Sequence, residues 1–252
     1  MIQNGVLARS HGQVLRGWWL DLLRRAAWHA EPVDHWLLRG ARVLLHLFTR
    51  GCMRWYHQLS VIGQEHFLEA RPGIIAPNHS SHLDTLAVFS SLPVSQMNAT
   101  CSVAAQDYFF KNPWLALVAR LMANGIPIDR QNNNGRGLRL CAEKLRGGTS
   151  LIMFPEGSRT RTGRIGDFKP GVIMLSRRAH VPVVPTYIRG ALESMGWSKW
   201  YPRPERITVI FGEPLCFWEG TLADLSPHDA AAHLEGRVRG LKESLEGKQE
   251  RA

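Results

Sequence analysis

Apolar positions divide the chain into two regimes. From about residue 61, short apolar runs alternate with stretches of helical spacing, the order expected of an α/β domain. The runs Gly73 to Ala76, Leu151 to Phe154, Val181 to Val184 and Ile207 to Phe211 predict strands. Asn112-Pro113 offers an N-cap followed by a proline at the first helical position, and Asn124-Gly125 offers a stop, so a helix is expected between them. A second helix is expected near Leu138 to Arg146, ended by Gly147-Gly148, and a third from Pro170. The last opens at Ser226-Pro227 and sets Leu234, Val238, Leu241 and Leu245 four, three and four residues apart, on one helical face. Neither an internal repeat nor a linker long enough to separate two independent domains is visible.

Residues 13 to 60 follow a different pattern. Trp18, Trp19, Leu22, Leu23 and Trp28 fall in one segment, and Trp36, Leu37, Leu44, Leu45, Leu47, Phe48 and Trp55 in the next, with Glu31-Pro32 between them. Two helices are expected, studded with Arg16, Arg24, Arg25, Arg39, Arg42, Arg50 and Arg54. Interfacial membrane helices have this chemistry, because Trp suits the headgroup boundary and Arg meets lipid phosphate. A helical pair packed on the main domain with its arginines in water has the same pattern, and the sequence leaves both readings open.

Composition narrows the class. With 252 residues, 44% apolar and 21% charged, the chain is neither disordered, collagen-like nor multi-spanning. The longest uncharged run, Thr85 to Gln106, is broken by Pro93, Asn98 and several Ser, so no membrane span is expected. No signal-peptide pattern opens the chain, and secretion is not expected. Cys52, Cys101, Cys141 and Cys216 are too scattered for a zinc site or a disulfide framework. The net charge of +10 points to an anionic partner, and it is unevenly placed: +5 over residues 1 to 60, +8 over 61 to 212 and −3 over 213 to 252. The C-terminal end is therefore not the anion-binding end.

Candidate chemistry gathers where predicted strands end, the usual ligand edge of an open α/β sheet. After the first predicted strand comes Pro77-Asn78-His79-Ser80-Ser81-His82-Leu83-Asp84. Five residues apart, His79 and Asp84 do not share a helix face. They can meet if His79 lies in the loop and Asp84 in the first helical turn. Asp84 would then fix the imidazole tautomer and leave the other nitrogen as a general base. Ser81-x-x-Asp84 is equally a helix-capping pattern, so a purely structural Asp84 stays open. The strand ending at Phe154 leads into Pro155-Glu156-Gly157-Ser158-Arg159-Thr160-Arg161-Thr162-Gly163-Arg164, whose glycine, hydroxyls and cations suit a phosphate-bearing ligand or, equally, a solvated basic loop. Gly125 to Arg130 adds one more arginine after a short apolar run.

Taken in order, these segments resemble the glycerolipid acyltransferase family, also called the lysophosphatidic acid acyltransferase or PlsC-like family. Asn78 to Asp84 is similar to its NHxSxxD block and Gly125 to Arg130 to its second block. Phe154 to Arg159 is similar to its FPEGTRS block, with Ser158 in place of the commoner Thr, and Val181-Pro182-Val183-Val184-Pro185 to its fourth. Four blocks in family order over roughly residues 60 to 215 are far more specific than any one alone.

The resemblance implies one α/β acyltransferase domain with a mixed central sheet flanked by helices, over residues 61–215. A two-helix membrane-docking element would precede it, over residues 1–60, and a helical extension would follow, over 216–252. It implies transfer of a fatty acyl group from a thioester, acyl-CoA or acyl carrier protein, to the free hydroxyl of lysophosphatidic acid, with no tightly bound cofactor or metal. Another lysolipid or glycerol 3-phosphate is the alternative acceptor. His79 and Asp84 would be catalytic, and Arg130, Glu156, Gly157, Ser158 and Arg159 would bind the acceptor. Attack would be direct, since no G-x-S-x-G elbow is present and no cysteine lies in a block. The protein would sit as a peripheral or monotopic element on the cytoplasmic face of a membrane, against an anionic surface. A non-catalytic lipid-binding protein would explain the basic, Trp-rich N-terminus but not the blocks. A nucleic-acid partner is not expected, because zinc, RNP and helix-turn-helix motifs are lacking.

Overall fold

The structure, a computed structural model, describes residues 36–106, 112–128, 135–197 and 199–249. Its strands are β1 (Ser60–Ile62), β2 (Ile74–Pro77), β3 (Thr100–Ala105), β4 (Ile126–Ile128), β5 (Ser150–Ile152), β6 (Val183–Arg189) and β7 (Thr208–Phe211). Its helices are α1 (Trp36–Trp55), α2 (Gln64–Glu69), α3 (Leu83–Ser91), α4 (Val94–Met97), α5 (Pro113–Ala123), α6 (Arg136–Arg146), α7 (Gly171–Ala179), α8 (Ala191–Met195) and α9 (Pro227–Gln249).

The strands make one sheet in the order β1-β7-β6-β2-β5-β3-β4. β6, β2, β5, β3 and β4 run parallel, whereas β7 is antiparallel to β6 and β1 is parallel to β7. The sheet is mixed. Successive residues of the central strands enter opposite cores: Ile74, Leu151 and Val183 join α6, α7 and α9, while Ile75, Ile152 and Val184 join α1, α2 and α3. A strand covered on both faces reads as a continuous apolar run, which is why these three were legible. On α9, Leu234, Val238 and Leu245 are buried in the first core and Leu241 packs against it. Arg177 of α7 fixes the approach to α9, donating from Nε to the Phe217 carbonyl and from Nη2 to the carbonyls of Leu222 and Leu225 at 2.8–3.0 Å.

β1, β3 and β4 were not expected, and each has a reason. β1 is a three-residue exposed edge strand, and β3 is built from Thr, Cys, Ser, Val and Ala with little β-signal. β4 contains Pro127, tolerated because β4 is the other edge and pairs only with β3. The strand expected at Val181 to Val184 instead starts at Val183 and runs through Pro185 to Arg189. Pro185 sits where the β6–β7 ladder gives way to the isolated Val183–Leu215 bridge; it needs no N–H there, and its carbonyl still accepts from the Gly212 amide at 2.8 Å. The helix ends fall as expected, with the Asn112 side chain accepting from the Trp114 amide and Asn124 left-handed at the close of α5.

Of the two expected N-terminal helices, the second is α1, and the first lies outside the described residues. α1 packs against α3, α4 and α5, and the sheet already begins at Ser60. Its outward face carries large apolar side chains. His46 and Met53 are buried and Arg50 donates to the Leu92 carbonyl, while Leu44, Leu47, Phe48 and Trp55 are exposed. No described helix is long and apolar enough to cross a membrane.

Candidate active site

Because β2, β5, β4 and β6 are parallel, the segments after them emerge at one edge of the sheet. His79 follows β2, Glu156 to Arg159 follow β5, and α8 follows β6. Arg130 follows β4 but lies outside the described residues, as does Asp129.

His79 sits in the loop and Asp84 in the first turn of α3, with His79 Nδ1 2.9 Å from Asp84 Oδ2. The same oxygen accepts the Ser80 amide at 2.6 Å and the Ser81 amide at 2.8 Å. This geometry is compatible with both readings of Asp84. It ties down the turn into α3, and it faces the imidazole. Asp84 is fully buried, whereas the His79 side chain keeps 19% of its surface exposed. A carboxylate can only accept, so Nδ1 carries the proton and Nε2, across the ring, is left as the acceptor.

The loop carrying His79 is held on every side. The Asn78 side chain donates to the Ile188 carbonyl and accepts from the Ile188 amide at 3.1 and 2.7 Å, pinning the loop to β6. The Ser81 hydroxyl donates to the Met195 carbonyl at 2.6 Å and accepts from the Leu83 amide. The Phe154 ring stacks on the imidazole at 3.9 Å between centroids. Asn78 and Phe154 lay inside the sequence blocks without a role; nothing in the sequence singled out Met195 or Ile188 as partners.

Glu156 binds this loop. Its Oε1 accepts the His79 amide at 2.7 Å and its Oε2 the Gly166 amide at 3.1 Å, while the Thr160 amide donates to the His79 carbonyl at 2.8 Å. Both backbone groups of His79 are thus bonded to the segment after β5. Glu156, expected to take part in the acceptor site, is buried and its carboxylate accepts two backbone amides of the protein. Burial raises its pKa above the ordinary carboxylate value, against the lowering effect of those amides. Gln keeps one acceptor but turns a donor toward a second N–H, so Glu156→Gln should lose about 1–3 kcal/mol of stability, read by chemical denaturation. The raised pKa means the folded chain holds this proton more readily than the unfolded one. The group's contribution is therefore fully present below the ordinary value and lost as pH rises through the folded one. The gap between wild type and Glu156→Gln should narrow over that rise; a gap that widens would contradict the assignment.

Gly157 has φ +74°, a left-handed conformation that favours glycine. Ser158 is exposed. The Arg159 guanidinium lies 4.4 Å above the Trp197 ring centroid, and Arg161 lies 4.7 Å from the same centroid. Arg159 is also close enough to His82 to lower its pKa, after burial and ahead of His79, so His82 favours the neutral form. No cysteine offers a competing nucleophile at neutral pH in the cores: burial pushes the Cys101 thiol up to about 11 and the Cys141 thiol up to about 12.

A mixed α/β sheet with a His–Asp pair at its carboxyl edge, braced by a cationic loop, defines the class. A family model described as Acyltransferase matches residues 58–189, half of the chain. The chain belongs to the acyltransferase family. It is 32% identical over 177 residues to a 1-acyl-sn-glycerol-3-phosphate acyltransferase of Limnanthes douglasii, covering 66% of this chain and 58% of the relative. It is 29% identical over 155 residues to a probable 1-acyl-sn-glycerol-3-phosphate acyltransferase of Mycoplasma pneumoniae, covering 56% of each. The matched regions span little more than half the length of these relatives. The crystal structure of the 1-acyl-sn-glycerophosphate (LPA) acyltransferase PlsC from Thermotoga maritima shares the fold, with a TM-score of 0.66 and 23% identity over 90% of this chain and 88% of that one.

Proposed function

We propose that the protein is an O-acyltransferase that moves a fatty acyl group from a thioester, acyl-CoA or acyl carrier protein, to the free hydroxyl of lysophosphatidic acid, giving phosphatidic acid. The observation that carries this reading is the Asp84 carboxylate held by two loop amides and facing His79 Nδ1. His79 Nε2 takes the acceptor's hydroxyl proton as the oxygen attacks the thioester carbonyl, and the buried Asp84 charge stabilises the imidazolium. Collapse of the tetrahedral species expels the thiolate, which recovers the proton from His79, so an ester and a free thiol leave. Arg159, with Arg130, holds the acceptor phosphate, a task suited to the planar donors of guanidinium. Gly157 and Ser158 shape the turn beside it, and Glu156 acts through the His79 backbone. The relatives' names support lysophosphatidic acid over other acceptors.

Residues 1–60 dock the enzyme peripherally on the anionic cytoplasmic face of a membrane. The exposed Leu44, Leu47, Phe48 and Trp55 of α1 and the segment charge of +5 support that reading. The test is to supply the purified chain with acyl-CoA or acyl carrier protein thioester and a panel of lysolipids, following thiol release and identifying products by mass spectrometry. Phosphatidic acid should form fastest from lysophosphatidic acid, and a folded protein that releases thiol with none of the panel overturns the proposal. Arg159→Ala should raise the acceptor KM by about 10- to 150-fold, as loss of one charge-assisted contact of about 1.5–3 kcal/mol requires, with donor KM unchanged. A defect confined to the donor would move Arg159 to the thioester side.

A further inference from the structure

The connection between β6 and β7 contains an exposed aromatic loop that the acyl-transfer chemistry does not use. Two hydrogen bonds close a loop at its base: the Arg203 amide donates to the Ser194 carbonyl at 3.1 Å, and the Ser194 hydroxyl donates to the Arg203 carbonyl at 2.8 Å. A turn from the Lys199 amide to the Gly196 carbonyl and a bond from Lys199 Nζ to the Glu193 carbonyl stiffen it from within. Its Pro202 carbonyl accepts from the Tyr56 hydroxyl at 3.2 Å, which fastens the loop to the chain leaving α1. The loop is therefore held in shape from both ends.

What it presents is large, aromatic and outward. Trp200 is 87% exposed, and its ring meets that of Tyr201 edge-on at 4.9 Å between centroids. Trp197 and Tyr201 are each about half exposed, and Trp55, beside Tyr56, is 85% exposed. Cations surround these rings. Arg159 and Arg161 both lie over Trp197, and residues 196–206 hold Lys199, Arg203 and Arg206 against the single acid Glu205. Exposing this much aromatic surface in water is unfavourable, and a loop tied at its base and to Tyr56 is poorly placed to fold it away.

Its position is fixed by the sheet. Because β6 is parallel to β2, α8 and the loop leave from the edge that carries His79, and the Ser81 hydroxyl donates to the carbonyl of Met195, the last residue of α8. We propose that residues 199–203 are a second bilayer-contact site, inserting Trp200 and Tyr201 at the headgroup boundary while Lys199 and Arg203, with Arg161, meet lipid phosphate. Trp and Tyr with interleaved cations fit that boundary, where the ring is buried and the polar edge stays wet. An acidic protein partner would match the charge. The loop leaves the sheet from the His79 edge, however, which a membrane-borne acceptor has to reach. The role of this contact is to set the His79 edge of the sheet against the membrane, beyond what residues 1–60 do, and it rests on the proposed lipid chemistry only for that purpose.

The test is sedimentation of the full chain with vesicles of phosphatidylcholine containing phosphatidylglycerol, and with phosphatidylcholine alone. A Trp200→Ala/Tyr201→Ala variant should bind the anionic vesicles about tenfold or more weakly, the loss expected from two large side chains no longer buried. Trp200→Phe/Tyr201→Phe should recover most of that binding. Arg203→Glu, which leaves every aromatic ring in place, should weaken binding to the anionic vesicles and not to the neutral ones. Equal vesicle binding by wild type and the Ala variant, or loss of binding to acyl carrier protein with vesicle binding intact, overturns the proposal. These readouts need no turnover, so a chain that binds vesicles through this loop yet transfers no acyl group would sink the proposed activity and leave the contact site standing.

Discussion

His79→Ala should reduce acyl transfer by about 10²- to 10⁴-fold, the usual contribution of a positioned general base. The substitution removes the ring that faces Asp84 and stacks on Phe154 but leaves the loop itself anchored. Asp84 Oδ2 keeps its bonds to the Ser80 and Ser81 amides, Asn78 still clamps Ile188, and both backbone groups of residue 79 still bond to Glu156 and Thr160. A cooperative thermal transition close to that of wild type is therefore expected alongside the lost activity. Thiol release with saturating acceptor and donor, normalised to folded protein, reads the effect. Near-normal turnover in a folded His79→Ala variant would remove His79 from the chemistry.

Asp84→Asn separates the two jobs of one oxygen. Three donors converge on Oδ2, so the amide oxygen of Asn must take that place. The amide nitrogen then occupies the position of Oδ1, which is buried and has no hydrogen-bond partner among the described residues. An unsatisfied buried NH₂ costs about 1–3 kcal/mol, so some stability is lost. The larger effect is electrostatic. The neutral amide holds the loop and the tautomer but cannot compensate the imidazolium, and turnover should fall by about 10²- to 10⁴-fold with little change in acceptor KM. If stability falls while turnover per folded molecule persists, Asp84 is a strut for the turn and nothing more. Measuring both quantities on one preparation decides between the readings that the sequence left open.

Capping by Ser81-x-x-Asp84 and orientation of His79 looked like rivals because sequence spacing cannot show which donors reach a carboxylate. Folded, the backbone amides of Ser80 and Ser81 arrive at the same oxygen as the imidazole. Glu156 is a second case. Its place in the third block marked it as part of the acceptor site, and spacing could not show that its two oxygens accept backbone amides more than a helical turn away in sequence, those of His79 and Gly166.

Local rules sufficed where the signal was local. The apolar runs of β2, β5, β6 and β7, the Asn112-Pro113 cap, the Asn124 stop, the Gly147 stop and the spacing on α9 depend on neighbouring residues and on burial of both sheet faces. The four blocks, being short and contiguous, carried the family and the pairing of His79 with Asp84. Tertiary structure alone decided the rest. It made strands of Ser60–Ile62, Thr100–Ala105 and Ile126–Ile128, whose stability comes from neighbours in the sheet rather than from β-propensity. It turned α1 with His46 inward and Phe48 outward, and it brought residues 79, 156, 160, 188 and 195 together at one sheet edge. Such contacts join positions up to 114 residues apart, and periodicity along a chain holds no information about which distant segments a parallel crossover will lay side by side.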